Sequence, residues 1–192
     1  MLVLILGLLL FLAPHSLRIV AEGWRQRQIA ARGEGPWKGA VSVVSILGLV
    51  LIVWGYAMAR ADPVVLWQPP VWTRHLAVPL VAVAFVLIVA AYVPPGRIKA
   101  AVGHPMVLGV KVWAFAHLIA NGTLADLVLF GAILAWAIAD YASSRRRDRA
   151  AGCVHVSGPA KNDAIAVVVG LAIWAAFLFA LHQWLFGVAP LG

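Results

Sequence analysis

Residues 103–122 read GHPMVLGVKVWAFAHLIANG, an apolar run of helical length that also holds two histidines, a lysine and an asparagine. An ionisable side chain at the centre of a bilayer costs roughly 2.5–3.5 kcal/mol even on insertion scales, so these groups must face protein, water or a bound cofactor rather than lipid. On an ideal helix His104, Leu108, Lys111 and Phe115 share one face, while Val110, Trp113, His117 and Asn121 share another. The two histidines therefore look in different directions. Their spacing corresponds to about 20 Å along the helix axis, most of a ~30 Å hydrocarbon core, which leaves one near each membrane surface.

Composition extends this reading to the whole chain. Of 192 residues, 64% are hydrophobic and 11% charged, and the mean hydropathy is +0.95. These values lie outside the range of soluble domains and point to an all-α, polytopic membrane protein. The apolar runs are continuous and show no period of two, which excludes a membrane β-barrel. Six spans are predicted, at 2–20, 37–56, 72–93, 104–120, 123–141 and 163–186, each close to the ~20 residues a bilayer needs. Nothing between them is long enough to fold separately, so residues 1–192 form a single transmembrane helical domain. The opening MLVLILGLLLFLAP has no basic residue before its apolar run and no small-x-small cleavage site, and it reads as a retained first span.

The links carry the punctuation. Residues 24–31 fit a short amphipathic helix at the interface. Asp62-Pro63 and Pro69-Pro70 block helix continuation and bring Trp67 and Trp72 to headgroup depth. Pro94-Pro95-Gly96 ends the third span, and Asn121-Gly122 alone joins the fourth to the fifth in a tight helical hairpin. The link at 143–161 contains Arg145, Arg146, Arg147 and Arg149. The net charge of +8 would suggest nucleic acid in a soluble protein. Here twelve Lys/Arg fall in the links after spans one, three and five or at the span ends beside them, and only two in or beside the links between. That asymmetry is topological: it expects the basic links in the cytoplasm and both termini outside, in the periplasm of the inner membrane if the cell is a Gram-negative bacterium, with membrane lipids as partners and no nucleic acid. The one cysteine, Cys153, sits in a basic link and can form no intrachain disulfide.

Four of the six histidines fall within or at the ends of spans: His15 and His104 toward the cytoplasmic side, His117 and His182 toward the outer side. Imidazoles from facing helices are a recurrent way to hold haem or a metal, and a packed, hydrogen-bonded histidine is the competing reading at each position. His75 and His155 read as link or interface residues. His15, Arg18 and Glu22 fall on one helical stripe, where Arg18 suits headgroup snorkelling or a partner carboxylate such as a haem propionate. Lys111 lies near mid-membrane, and Asp126 and Asp140 are its candidate partners. Signatures of phosphate loops, nucleophile elbows, HExxH zinc sites, covalent haem attachment and iron–sulfur clusters are all missing. Nine tryptophans suggest interfacial belts first, and a planar ligand between helices second.

Across nearly its whole length the sequence resembles the NnrU family of bacterial membrane proteins. The resemblance is carried by PHSLR at 14–18, GEGPWKG at 33–39, LIVWGY at 51–56, ARADPVVLW ending at Trp67, and the GHP, Lys111, WAFAH and ANG elements of 103–122. It implies a role in nitrite and nitric oxide metabolism in denitrifying bacteria, through electron transfer, haem handling or assembly of a partner nitrite or nitric oxide reductase. The family is in turn similar to the 15-cis-zeta-carotene isomerases, membrane enzymes implicated in using haem b on a polyene. That similarity implies His15 and His117 as axial metal ligands and His104 as the catalytic histidine. The placement of Arg18, Lys111, Trp113 and His182 in or beside the spans makes them further cofactor-binding candidates. The relatives' cysteine three residues before the ligand histidine is Ala114 here, so a thiolate ligand switch has no counterpart. The alternatives that follow are a haem-dependent isomerase or redox enzyme acting on a lipid-soluble substrate, and a cofactor-free accessory protein; a homo-oligomer is compatible with each. Depth conflicts with the ligand pair, since His15 and His117 are expected roughly 10–15 Å apart along the helix axes, and His104 is the substitute if that distance holds.

Overall fold

A computed structural model describes residues 1–191, which form helices and connecting loops with one isolated β-bridge between Val65 and Thr123. The helices are α1 (Leu2–Val20), α2 (Glu22–Arg32), α3 (Glu34–Ala61), α4 (Val71–Tyr92), α5 (Arg97–Val102), α6 (Pro105–Ala120), α7 (Leu124–Ala150) and α8 (Ala160–Ala176), the last running through a π turn (Phe177–Leu181) into α9 (His182–Phe186). Five are long and apolar enough to cross a membrane: α1, α3, α4, α7 and the continuous 160–186 helix. The segment at the centre of the sequence reading is shorter than a full span. Gly103, at φ +72°, and His104 turn the chain just before Pro105, and Asn121 is extended, so α6 is confined to 16 residues, about 24 Å.

Neighbouring helices pack in the order α3, α1, α7, α6, α4, α8, with α7 in the middle. The tightest seam joins α1 to α3. A Cβ added to Gly7 would stand 2.6 Å from the Ile52 amide nitrogen, and one on Gly48 the same distance from that of Phe11; Gly55 lies directly against the Leu4 backbone. Only glycine lets two backbones approach so closely, the usual solution where lipid offers no hydrophobic drive. The outward side of α3 exposes Val43, Ile46, Leu47, Val50, Val53 and Trp54, as a surface solvated by hydrocarbon does.

The predicted amphipathic segment is α2, where Glu22 pairs with Arg25 at 3.1 Å and Trp24 meets Trp37 edge-on. The stripe of His15, Arg18 and Glu22 does not survive, because Ala21, at φ −142°, breaks the helix between Arg18 and Glu22. A second difference is larger. The arginine-rich stretch expected as a link is helical: α7 continues nine residues past Tyr141 and stops at Ala150, before Gly152 at φ +62°. Arginine is a good helix former and the run contains no breaker, so the helix carries its charges past the apolar segment.

Contacts sort the two ends of the bundle. At one end Arg147 donates to the Arg18 carbonyl at 3.2 Å, and the Asp163 carboxylate accepts from the Arg97 and Ile98 amides at 2.9 and 3.0 Å. This basic end gathers the links after α1, α4 and α7. At the opposite end Leu66 donates to the Gly122 carbonyl and Leu124 to that of Val64, both at 2.8 Å, strapping the proline-rich link onto the α6–α7 turn. Gly122 is required there, since any Cβ would collide with the Trp67 carbonyl.

Candidate functional site

His15 and His117 are held alike. Nδ1 of His15 donates to the Phe11 carbonyl at 2.6 Å, and Nδ1 of His117 to the Trp113 carbonyl at 2.9 Å, one turn earlier in each case. This fixes the tautomer and leaves each Nε2 lone pair without a partner among the described residues, the arrangement found in metal-ligating histidines. The ring of His15 stacks on Phe11 at 4.6 Å and meets Trp136 edge-on at 5.9 Å. Trp136 Nε1 is buried with no hydrogen-bond partner among the described residues. His117 lies between Trp113 at 4.8 Å and Phe130 at 4.9 Å. The α1–α7 seam also carries an open apolar cleft of about 350 Å³ lined by Leu8, Leu12, Ser16, Val128 and Ala132 among others.

The two rings are not in contact. His15 sits beside Trp136 and His117 beside Phe130, six residues or about 9 Å apart along α7. In donor chemistry both residues fit an iron ligand, and the separation expected from depth persists in reduced form.

Around His117 the end opposite the basic one is closed by a buried acid. Asp126 accepts from the Thr123 amide at 3.0 Å and the Thr123 hydroxyl at 2.6 Å, while Thr123 Oγ1 accepts from the Asp126 amide: a capping box that starts α7. The other Asp126 oxygen accepts from the Tyr56 hydroxyl at 2.5 Å, and the Arg60 guanidinium lies 5.9 Å from the Tyr56 ring centre. Asn121 donates to the His117 carbonyl at 2.8 Å. His182 bonds instead to the Val188 carbonyl of its own C-terminal segment, at 2.7 Å.

At the basic end, His104 Nε2 donates to Asp148 Oδ2 at 2.8 Å, and His155 Nε2 donates to the same oxygen at 2.9 Å. Arg145 Nη1 stands 3.7 Å from it. Asp148 and His155 were not anticipated, the first because it is one acid inside a run of arginines, the second because its link gives no periodic signal. Lys111 meets neither Asp126 nor Asp140; its ammonium lies 5.8 Å from the ring centre of Tyr141, whose hydroxyl donates to the Val102 carbonyl at 2.8 Å. Asp126 is already taken by its cap and by Tyr56, so the lysine finds an aromatic face instead. Arg18 is exposed, as snorkelling requires, and only its carbonyl enters the network. Tyr141, Arg145, Arg146 and Arg149 line a shallow cleft of about 630 Å³ beside this cluster.

No curated protein and no solved structure matches the chain. A family model described as NnrU protein matches residues 3–190, a range that takes in every histidine described above. The chain belongs to the NnrU family.

Proposed function

We propose that this NnrU-family membrane protein binds b-type haem within its bundle, with His117 and His15 as the ligands and Trp113 and Trp136 beside them, and that it supports nitrite and nitric oxide metabolism. The observation that carries the reading is the shared state of the two imidazoles: each spends Nδ1 on its own helix and keeps Nε2 for a ligand. The unpartnered indole nitrogen of Trp136, next to His15, is consistent with a bound acceptor in the same seam. Family membership carries the link to denitrification, where bound haem supplies one-electron chemistry. In this reading Arg18, exposed at the basic end, and Lys111 and His182 are the remaining candidates for polar contacts to the cofactor. In this reading the basic end faces the cytoplasm and the termini the periplasm, an orientation supported by the charge asymmetry.

A second reading, a haem-dependent isomerase or redox enzyme for a lipid-soluble substrate, is favoured by the apolar α1–α7 cleft that opens on the bundle surface next to the His15 turn. The reduced-minus-oxidised visible spectrum of the detergent-purified protein tests the haem in both readings. Wild-type protein is expected to show the band of a six-coordinate b haem, and His117→Ala or His15→Ala to give a five-coordinate spectrum or none. Protein that stays colourless on haem titration overturns both and leaves a cofactor-free accessory protein. Turnover of a polyene by coloured protein would select the enzyme.

A further inference from the structure

We propose that His104, Asp148 and His155 form a divalent transition-metal site at the basic end of the bundle, of the zinc or cobalt class, separate from the histidines assigned to haem. Three elements that are far apart in sequence converge there: the residue capping α6, the last turns of α7, and the irregular link that follows. The two imidazole nitrogens and a carboxylate oxygen lie within 4.8 Å of one another. His117 lies about 20 Å further along α6, so the two centres do not share a ligand.

The donor set decides the class of metal. Two imidazole nitrogens and one carboxylate oxygen suit zinc and its neighbours, which take nitrogen and oxygen at about 2.0–2.2 Å, whereas calcium and magnesium require oxygens. Both Nε2 atoms converge on one carboxylate oxygen at 2.8 and 2.9 Å. A tetrahedral ion would take the place of the two shared protons and widen these separations to about 3.3 Å. His155 is held inward although its neighbours from Ala151 to Val154 are exposed. The backbone is shaped to allow this. Gly103, at φ +72°, leaves the space that a Cβ would fill, 2.6 Å from Arg145 Nη1 and 2.9 Å from His155 Nε2.

Three protein ligands leave a fourth position open, as in catalytic rather than structural zinc sites. Arg145 stands 3.7 Å from the shared oxygen, and Arg146 and Arg149 line the adjoining cleft. With these cations beside a dication, the fourth ligand fitted to the site is hydroxide or a small inorganic anion, which offsets the excess charge.

The test is Co²⁺ titration of the full chain in detergent, after chelator treatment and with an affinity tag that carries no histidine, followed by the visible ligand-field bands and by metal analysis. One equivalent is expected in the wild type. His155→Ala and Asp148→Asn are each expected to weaken binding at least tenfold, while His75→Ala, which alters an exposed histidine at the other end, leaves it unchanged. His155 lies in a link outside every helix, so its variant retains the fold, and helicity and elution volume verify that. Wild-type protein that takes up no Co²⁺, or a His155→Ala variant that binds as tightly as wild type, overturns the site and leaves a hydrogen-bonded clasp. Haem content is read independently from the spectrum, so failure of either centre is distinguishable from failure of the other.

Discussion

At its start α6 is capped by His104, whose ring leaves its own helix for Asp148 of α7 and meets His155 on the same oxygen; near its end His117 reaches no further than the Trp113 carbonyl one turn back. The difference lies in which nitrogen is spent. Tertiary contacts consume the Nε2 of His104, whereas a local bond takes the Nδ1 of His117 and leaves Nε2 free. His15, in another helix, follows the His117 pattern. The two histidines that resemble axial ligands are thus alike in state, and His104 differs from both. This argues for a separate role for His104 rather than its use as a replacement ligand, even though His15 and His117 are offset along α7. The surroundings differ in kind as well: aromatic rings and a buried acid around His117, arginines and an irregular link around His104.

The largest effect is expected at the His117 end, from Asp126. Its side chain is nearly inaccessible, with a residue exposure of 4%, and it serves both the cap of α7 and the Tyr56 hydroxyl. Asp126→Ala removes a capping interaction of about 1 kcal/mol. It also strands a partly buried hydroxyl at a cost of about 1–3 kcal/mol, for a total near 2–4 kcal/mol. Thermal unfolding in detergent is expected to show a marked drop in midpoint, with Asp126→Asn losing less because one acceptor oxygen remains. A neutral Asp126→Ala would mean that this end is not the rigid one.

At the opposite end Asp148→Ala is expected to lower the midpoint less, since its partners are all partly solvated: the side chains of His104 and His155 are 29% and 25% exposed. Solvated ion pairs contribute little to stability. A drop larger than that of Asp126→Ala would reverse the comparison and make the clasp the chief structural tie.

What could be read in the sequence follows the same division. Features whose cause is local were legible: the apolar runs, the proline breaks, the amphipathic α2, the Asn121-Gly122 hairpin and Asp126 as an acid at a helix start. The extension of α7 was missed because charge marks a stretch as outside the membrane without making it irregular. The Asp148 cluster was missed because its members lie in three elements, and only the fold reveals that α6, α7 and the following link meet at one point. Lys111 fell between these cases. Its need for a neighbour was evident from depth, but the neighbour came from Tyr141, a residue with no charge to advertise it.

Lys111 supplies the smallest and most discriminating change, because it lies on α6 between the two histidines. With its ammonium 5.8 Å from the Tyr141 ring centre, the interaction lost in Lys111→Met is a cation–π contact of about 0.5–1 kcal/mol. Methionine restores part of it, since a thioether packs well against an aromatic ring. The variant is therefore expected to fold with a midpoint close to wild type and to keep Co²⁺ uptake. A buried carboxylate partner would behave otherwise: removing one member of such a pair strands the other charge and costs about 3–5 kcal/mol. A large loss in Lys111→Met would thus point to Asp140 or another acid as the real partner, and a double variant that also neutralises Asp140 would then recover the lost stability.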